Sequence, residues 1–138
     1  YDITTVKVGR RREVDATKLF DMLWVRTHQM LAQVSLERVH SMPGQGVSST
    51  FSFGKATGTI IGCLAGLGLW EHATLVTPQV WKKAMLKDMP KEKESSIVRC
   101  RELFPHTCDH LTLKSHHNRA DAMLIAEHLR LTTGEVSE

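Results

Sequence analysis

The sequence alternates short β-branched segments with longer segments of helical spacing, and this alternation constrains the fold more than any other feature. Strands are predicted where isoleucine, valine and threonine recur in short runs, at Ile3–Val8, Gln33–His40 and 72–78. Helices are predicted between and after the strands, at 14–31, 51–68, 79–86, 95–105 and 120–131. Strands that alternate with helices in this order predict an α/β fold with a partly parallel sheet.

Polar residues and prolines mark the predicted ends of several helices. Asp15 is placed to cap the first helix, and Ser95 or Ser96 to cap the helix that Pro105 ends. The segment "SMPGQGVSST" combines two glycines with a proline and several hydroxyl side chains, which predicts a loop.

Length and composition indicate one globular domain. The 138 residues can bury a single core, so residues 1–138 are predicted to form one domain, with 131–138 as a flexible tail. The net charge of +3 suits a polyanionic partner without requiring one. The three cysteines form no CxxC pair, and the apolar stretch Thr59–Trp70 is shorter than the roughly 20 residues that span a bilayer. We therefore expect a protein that is not secreted and has no membrane partner.

The segment "HHNRAD" carries the densest group of side chains able to bind metals or move protons. On a helix, His117 and Asp121 share a face because they are four residues apart, and His116 or Asn118 lies close enough to assist. The competing interpretations are that Asp121 caps the helix or pairs with Arg119, and that the histidines belong to a solvated loop.

Glu37 supplies a second carboxylate near the carboxyl end of a predicted strand, where sites of α/β sheets gather. Two carboxylates and a histidine suit Mg²⁺ or Mn²⁺ and a hydrolytic water. The spacing in the sequence does not establish that Glu37 lies near Asp121.

Two further segments have both a structural and a functional interpretation. The loop "MPGQGVSSTFSFG" either caps a buried helix, with Phe51 and Phe53 in the core, or contacts phosphates and bases. The lysines of "WKK" and "PKEKE" either form a solvated surface or follow a phosphate backbone.

Three motifs in order resemble the RuvC family of Holliday junction resolvases, in its phage-type and organelle-type branch. The resemblance extends from about Ile3 to Arg130, and its motifs are "LERVHSMPGQGVSSTFSFGKATGTIIGCLAGLG", "TLVTPQVWKKAML" and "HHNRADAMLIA". It implies a ribonuclease H-like fold, with a mixed sheet flanked by helices, and a homodimer. It also implies an endodeoxyribonuclease that resolves four-way DNA junctions with two Mg²⁺ ions, for which Mn²⁺ can substitute, about 4 Å apart.

The resemblance also assigns residues to the site. It implies Glu37 and Asp121 as metal ligands, and His117 as a ligand or as the group that orients and deprotonates the attacking water. Residues similar to the family's DNA-binding positions are predicted in the loop from His40 to Thr50 and among the basic residues: His40, Gln45, Ser48, Ser49, Lys82, Lys83 and Lys93.

The sequence departs from the family at its first strand, because no "DPGxxG" aspartate is present and Asp2 does not match one. We therefore expect a chain that lacks the first strand or strands of the fold. The alternatives are a non-catalytic junction-binding protein with a decayed site and an α/β domain unrelated to DNA. The resemblance implies a location in a bacterial cytoplasm or nucleoid, a phage-infected cell, a mitochondrion or a chloroplast.

Overall fold

The computed structural model describes residues 2–28, 32–40 and 43–134, which form a mixed α/β structure. This confirms the predicted class, whereas the ribonuclease H-like topology stays a prediction. The strands are β1 (Thr5–Val8), β2 (Arg11–Val14), β3 (Val34–Glu37) and β4 (Ala73–Val76), and the helices are α1 (Ala16–Thr27), α2 (Val47–Gly66), α3 (Pro78–Met85), α4 (Ser95–Leu103) and α5 (His117–Thr133).

The elements fall into two compact units. Unit 1 comprises Tyr1–Val34 and His40–Ala73, and unit 2 comprises Ser35–Val39 and Thr74–Glu138. In the described residues the strands pair as two separate two-stranded sheets, β1 with β2 and β3 with β4. The single domain predicted for residues 1–138 stays a prediction.

Unit 1 begins with a β-hairpin of which the sequence patterns predicted only the first strand. Antiparallel pairing runs from Thr5 opposite Val14 to Val8 opposite Arg11. Gly9 begins the turn with a φ of 60°, a left-handed conformation that glycine adopts without steric cost. The second strand, "RREV", was missed because its charged residues do not alternate with apolar ones.

Two helices pack together in unit 1. The Asp15 side chain caps α1 as predicted, because its Oδ1 accepts the backbone N–H of Lys18 at 3.1 Å. Gly66 of α2 allows close packing, since a Cβ at this position would lie 3.3 Å from Cε2 of Phe20. The most deeply buried apolar side chains of the two helices are Leu19, Cys63 and Leu64.

Helix α2 differs from the prediction in its start and in its burial. It begins at Val47, four residues before the predicted start, so Ser48 and Ser49 lie in its first turn rather than in a loop. Phe51 and Phe53 are 71% and 41% exposed, so the expectation of core positions for them is wrong. Two residues of the predicted loop, 41 and 42, lie outside the described residues.

In unit 2, three helices enclose one hydrophobic core. Helix α5 packs against both α3 and α4. The backbone N–H of Arg38 donates to the carbonyl of Val76 at 2.7 Å, beside the pairing of β3 with β4. The core contains Val76, Trp81, Met85, Ile97, Cys100, Cys108, Leu111, Ala120, Leu124 and Ile125.

Two predicted boundaries in unit 2 are corrected by the structure. Ser95 and Ser96 do not cap α4; both are buried residues of the helix, and Ser95 Oγ donates to the carbonyl of Pro90 at 2.6 Å. Helix α5 continues to Thr133, so the start of the predicted tail is helical, and Gly134 follows with a φ of 66°. Residues 135–138 lie outside the described residues.

None of the described helices is long and apolar enough to cross a membrane.

Candidate active-site cleft

A cleft of about 630 Å³ in unit 2 brings together five of the ten residues predicted for the site. Helix α3, the loop between α3 and α4, and the start of α5 form its walls. The lining residues are Lys82, Lys83, Leu86, Lys87, Met89, Pro90, Lys91, Glu92, Lys93, Ser96, His117, Asn118 and Asp121.

Helix α3 places two lysines at the cleft because its other face is buried. Pro78 fits the first turn, where its missing N–H needs no partner. Trp81 and Met85, four residues apart, face the core and are 0% and 7% exposed. Lys82 and Lys83 lie between these buried positions in the sequence, are exposed, and line the cleft.

Helix α5 places His117, Asn118 and Asp121 at the same cleft from its first two turns. The buried Ala120, Leu124 and Ile125 anchor these turns in the core. The prediction that His117 and Asp121 belong to one helix and can act on one target is consistent with this arrangement. Asp121 is the fifth residue of α5 and His116 occupies the N-cap position, so Asp121 does not cap the helix.

The histidines at the start of α5 have different surroundings. The backbone N–H of Leu113 donates to Nδ1 of His116 at 3.3 Å, and His116 does not line the cleft. His117 Nδ1–H donates to the Lys114 carbonyl at 3.0 Å, because a carbonyl can only accept. In the neutral imidazole this bond leaves the lone pair on Nε2, the form that binds a metal or accepts a proton.

An ion pair fixes the turn before α5. Lys114 Nζ lies 3.1 Å from Glu94 Oε1, so the turn is joined to the residue before α4. The hydrogen bond from Lys114 lowers the pKa of Glu94 from its ordinary value.

Glu37 is joined to the wall of the cleft through Trp81. Nε1–H of Trp81 donates to Oε1 of Glu37 at 2.8 Å, and the Lys82 ammonium lies 5.2 Å from the centroid of the same indole. Glu37 is half-buried at the end of β3 and is absent from the lining of the cleft.

Two buried thiols lie beneath the start of α5. Cys100 Sγ donates to the carbonyl of Ala120 at 3.3 Å, and Cys108 Sγ donates to the carbonyl of Cys100 at 3.4 Å. Burial raises the pKa of Cys100 to about 12, with smaller contributions from Cys108 and Asp121. Both thiols therefore stay protonated at neutral pH and act as packing groups.

The carboxylates and imidazoles fit a metal ion only in part. Within residues 2–28, 32–40 and 43–134, no three His, Cys, Asp or Glu side chains are close enough together to hold one. Asp121 and His117 have suitable donor atoms at one cleft, but they make an incomplete ligand set by themselves.

Comparison with known proteins supports the resemblance seen in the motifs. No protein-family model matches the chain. Over 85 residues it is 35% identical to the chloroplastic Holliday junction resolvase MOC1 of Chlamydomonas reinhardtii. The chain is similar to a Holliday junction resolvase. The aligned segment is 62% of this chain and 9% of that relative, so the chain corresponds to a small part of the relative's length.

The predicted DNA-binding residues divide between the two units. Lys82, Lys83 and Lys93 line the cleft of unit 2. The others belong to unit 1 and are exposed: His40, Gln45, Ser48 and Ser49. The Arg11 guanidinium donates to the Ser48 hydroxyl and, at 3.1 Å, to Oγ of Ser52, so one of these hydroxyls already has a protein partner.

The structure adds Lys87, Lys91 and Trp81 to the residues predicted for the site; of these, Lys91 belongs to "PKEKE", whose lysines already had a phosphate-binding interpretation. Lys87 and Lys91 line the cleft together with Lys93. The charge of the segment "KDMPKEKE" was a usable signal for them, since its lysines lie close to "WKK" in the sequence. The sequence patterns assign no role to Trp81, because sequence does not reveal which acceptor an indole N–H will meet.

Proposed function

We propose that the protein is a structure-selective endodeoxyribonuclease that resolves four-way DNA junctions in recombination or repair. The observation that carries this proposal is the cleft that lysines from α3 and the following loop line together with His117 and Asp121 of α5. Its occurrence in a chain similar to a Holliday junction resolvase supports junction DNA as the substrate.

The two walls of the cleft suit different tasks in phosphodiester hydrolysis. Lysines bind phosphate oxygens as flexible point charges, so Lys82, Lys83 and Lys93 would hold the strand to be cut. His117 accepts a proton at Nε2 while its Nδ1–H is bonded to the Lys114 carbonyl, which suits a group that orients and deprotonates water.

Mg²⁺ is the cofactor that we propose, with Mn²⁺ as a substitute, because carboxylate oxygens suit both ions. Glu37, His117 and Asp121 are its proposed ligands. Since these residues do not form a three-ligand cluster in the described chain, further ligands or a rearrangement would be needed to complete the coordination. The ribonuclease H-like fold, the two-ion arrangement and the homodimer are proposed on the family resemblance.

An organelle is the location that we propose, because the similar resolvase is chloroplastic. Import of a fluorescent fusion of the full-length protein into isolated chloroplasts and mitochondria measures this directly, and retention outside both would contradict it.

The proposal is tested by cleavage of a synthetic four-way junction with the purified full-length protein and Mg²⁺. We expect Glu37→Gln and Asp121→Asn each to lower the cleavage rate at least 100-fold, because each removes a negative charge from the site. Asp109→Asn is the matched control, since Asp109 is exposed and lies outside the cleft. Its cleavage rate should stay within about twofold of the wild type.

One outcome would contradict the assignment of Glu37, and another would contradict the proposed activity. Full cleavage by Glu37→Gln would remove Glu37 from the site, whatever the other variants do. Tight junction binding by a wild-type protein that never cuts would instead indicate the non-catalytic junction-binding alternative.

A further inference from the structure

We infer that Trp81 is a positioning residue of the cleavage site, holding the Glu37 carboxylate through its indole N–H and the Lys82 ammonium against its ring. This inference rests on the proposed function, and it assigns a polar task to a side chain that is buried in the core.

The hydrogen bond between Trp81 and Glu37 fixes one oxygen of a half-buried carboxylate. The 2.8 Å separation of Nε1 and Oε1 is short for an N–H donor, as expected for a bond to a charged acceptor. The bond restricts rotation of the carboxylate and occupies Oε1, so Oε2 is the oxygen with the greater freedom to act on substrate or cofactor.

The indole itself has little freedom to move. Trp81 is 0% exposed and packs in the same core cluster as Ala120 and Leu124 of α5. Since Ala120 precedes Asp121, the ring that holds Glu37 is packed against the helix that carries the other carboxylate.

The face of the ring acts on the neighbouring lysine. Lys82 Nζ lies 5.2 Å from the ring centroid, within the distance at which a cation is attracted to an indole face. Lys82 also lines the cleft, so the same buried side chain restricts a carboxylate and a phosphate-binding ammonium.

The matched experiment compares Trp81→Phe with Trp24→Phe in the full-length protein. Phenylalanine keeps an aromatic face but removes the N–H donor, and Trp24 is an exposed tryptophan of unit 1. We expect Trp81→Phe to lower kcat about 10- to 100-fold, the usual effect of losing an outer partner of a ligand. Its junction Kd in EDTA should stay within about threefold, and Trp24→Phe should match the wild type in both.

A spectroscopic measurement tests the hydrogen bond without catalysis or metal. The EDTA-treated protein should have three indole N–H resonances in a ¹H–¹⁵N spectrum, one for each tryptophan. The resonance that is missing from the spectrum of Trp81→Phe is that of Trp81. We expect Glu37→Leu to move that resonance upfield and to speed its hydrogen exchange, because the acceptor is lost. An unchanged resonance would overturn the inference, and this variant keeps Trp81 even if Trp81→Phe folds poorly.

The double variant separates positioning from general stabilisation. If Trp81 acts through Glu37, Trp81→Phe combined with Glu37→Gln should cleave at the rate of Glu37→Gln alone. Multiplicative losses would instead show that Trp81 acts independently, which overturns the inference. If the wild type does not cut junctions, the proposed function fails. The indole resonance then still tests the hydrogen bond from Trp81 to Glu37. Wild-type cleavage by Trp81→Phe overturns the inference alone.

Discussion

At the scale of single residues, contacts from distant segments decide what each side chain of the cleft can do. The Lys114 carbonyl selects the tautomer of His117, and the indole of Trp81 holds the carboxylate of Glu37. The Cys100 thiol donates to the Ala120 carbonyl, and both residues are 0% exposed. These three contacts restrain the first turn of α5 and the end of β3.

The buried thiol of Cys100 predicts a loss of stability at alkaline pH. Its pKa is raised by burial from 9.0 to about 12, so above pH 9 the unfolded chain releases a proton that the folded chain keeps. The stabilisation is fully present below pH 9 and is lost as the pH rises towards 12. The free energy of unfolding should fall with a limiting slope of about 1.4 kcal/mol per pH unit from this group.

Urea unfolding between pH 8 and 11, with a reductant present, measures this slope. Cys100→Ala should have the shallower slope, even though the lost volume lowers its stability at every pH. Cys63→Ala is the matched control because Cys63 is a buried thiol of unit 1. A slope for Cys100→Ala equal to that of the wild type would contradict the prediction.

At the scale of elements, helix ends carry much of the information that the sequence makes visible. Helix α1 begins where Asp15 accepts the N–H of Lys18, and α5 ends where Gly134 adopts a left-handed conformation. Helix α4 follows a different rule, because its serines are buried and one of them donates to Pro90. A serine near the start of a helical segment therefore does not by itself identify the cap of that helix.

The cap of α1 predicts a measurable contribution to stability. Asp15→Ala should lower the free energy of unfolding by about 1 kcal/mol, because a backbone N–H of the first turn loses its acceptor. Chemical denaturation monitored by circular dichroism measures the change. Asp21→Ala is the matched control, since Asp21 is an exposed residue of the same helix and should change stability by less than about 0.5 kcal/mol. Equal losses for both variants would argue against the cap.

At the scale of the whole molecule, the position of the positive charges matters more than their total. A net charge of +3 is modest and by itself does not identify a DNA-binding surface. Five lysines line one cleft together with an aspartate and a histidine, so positive charge is concentrated there. Under the proposed function, this arrangement would hold a phosphate backbone next to the groups that act on it.

The lysines of the cleft predict a change in the salt dependence of junction binding. Replacing Lys82, Lys83 and Lys93 with glutamine should reduce the magnitude of the slope of log K against log salt by about 2 to 3, because each phosphate contact contributes about 0.9. Fluorescence anisotropy with a labelled junction in EDTA measures the slope from 50 to 300 mM salt.

A second triple variant provides the control for net charge. Replacing Lys7, Lys18 and Lys55 of unit 1 removes the same number of positive charges from residues that do not line the cleft. We expect its slope to change by less than about 1. Equal changes in both triple variants would show that total charge, rather than the cleft, governs binding.

Sequence patterns predicted much of the local structure because local structure depends on neighbouring residues. The spacing of His117 and Asp121 predicted that they could share a face on a helix, although α5 begins three residues before its predicted start, and the cap of α1 followed from Asp15. The strand β2 and the early start of α2 escaped prediction, since charged hairpin strands and small polar residues leave no clear periodicity. For the site, the motif resemblance selected three lysines that do line the cleft.

The sequence alone determined the mixed α/β class, the ends of several helices and the residue types available for chemistry. Only the tertiary structure decided which of these side chains contact one another. The hydrogen bond from Trp81 to Glu37 joins residues that are 44 positions apart in the sequence. The cleft is lined by residues of α3 and α5, which α4 separates in the sequence. Contacts of this kind depend on packing between distant segments, and no local spacing encodes them.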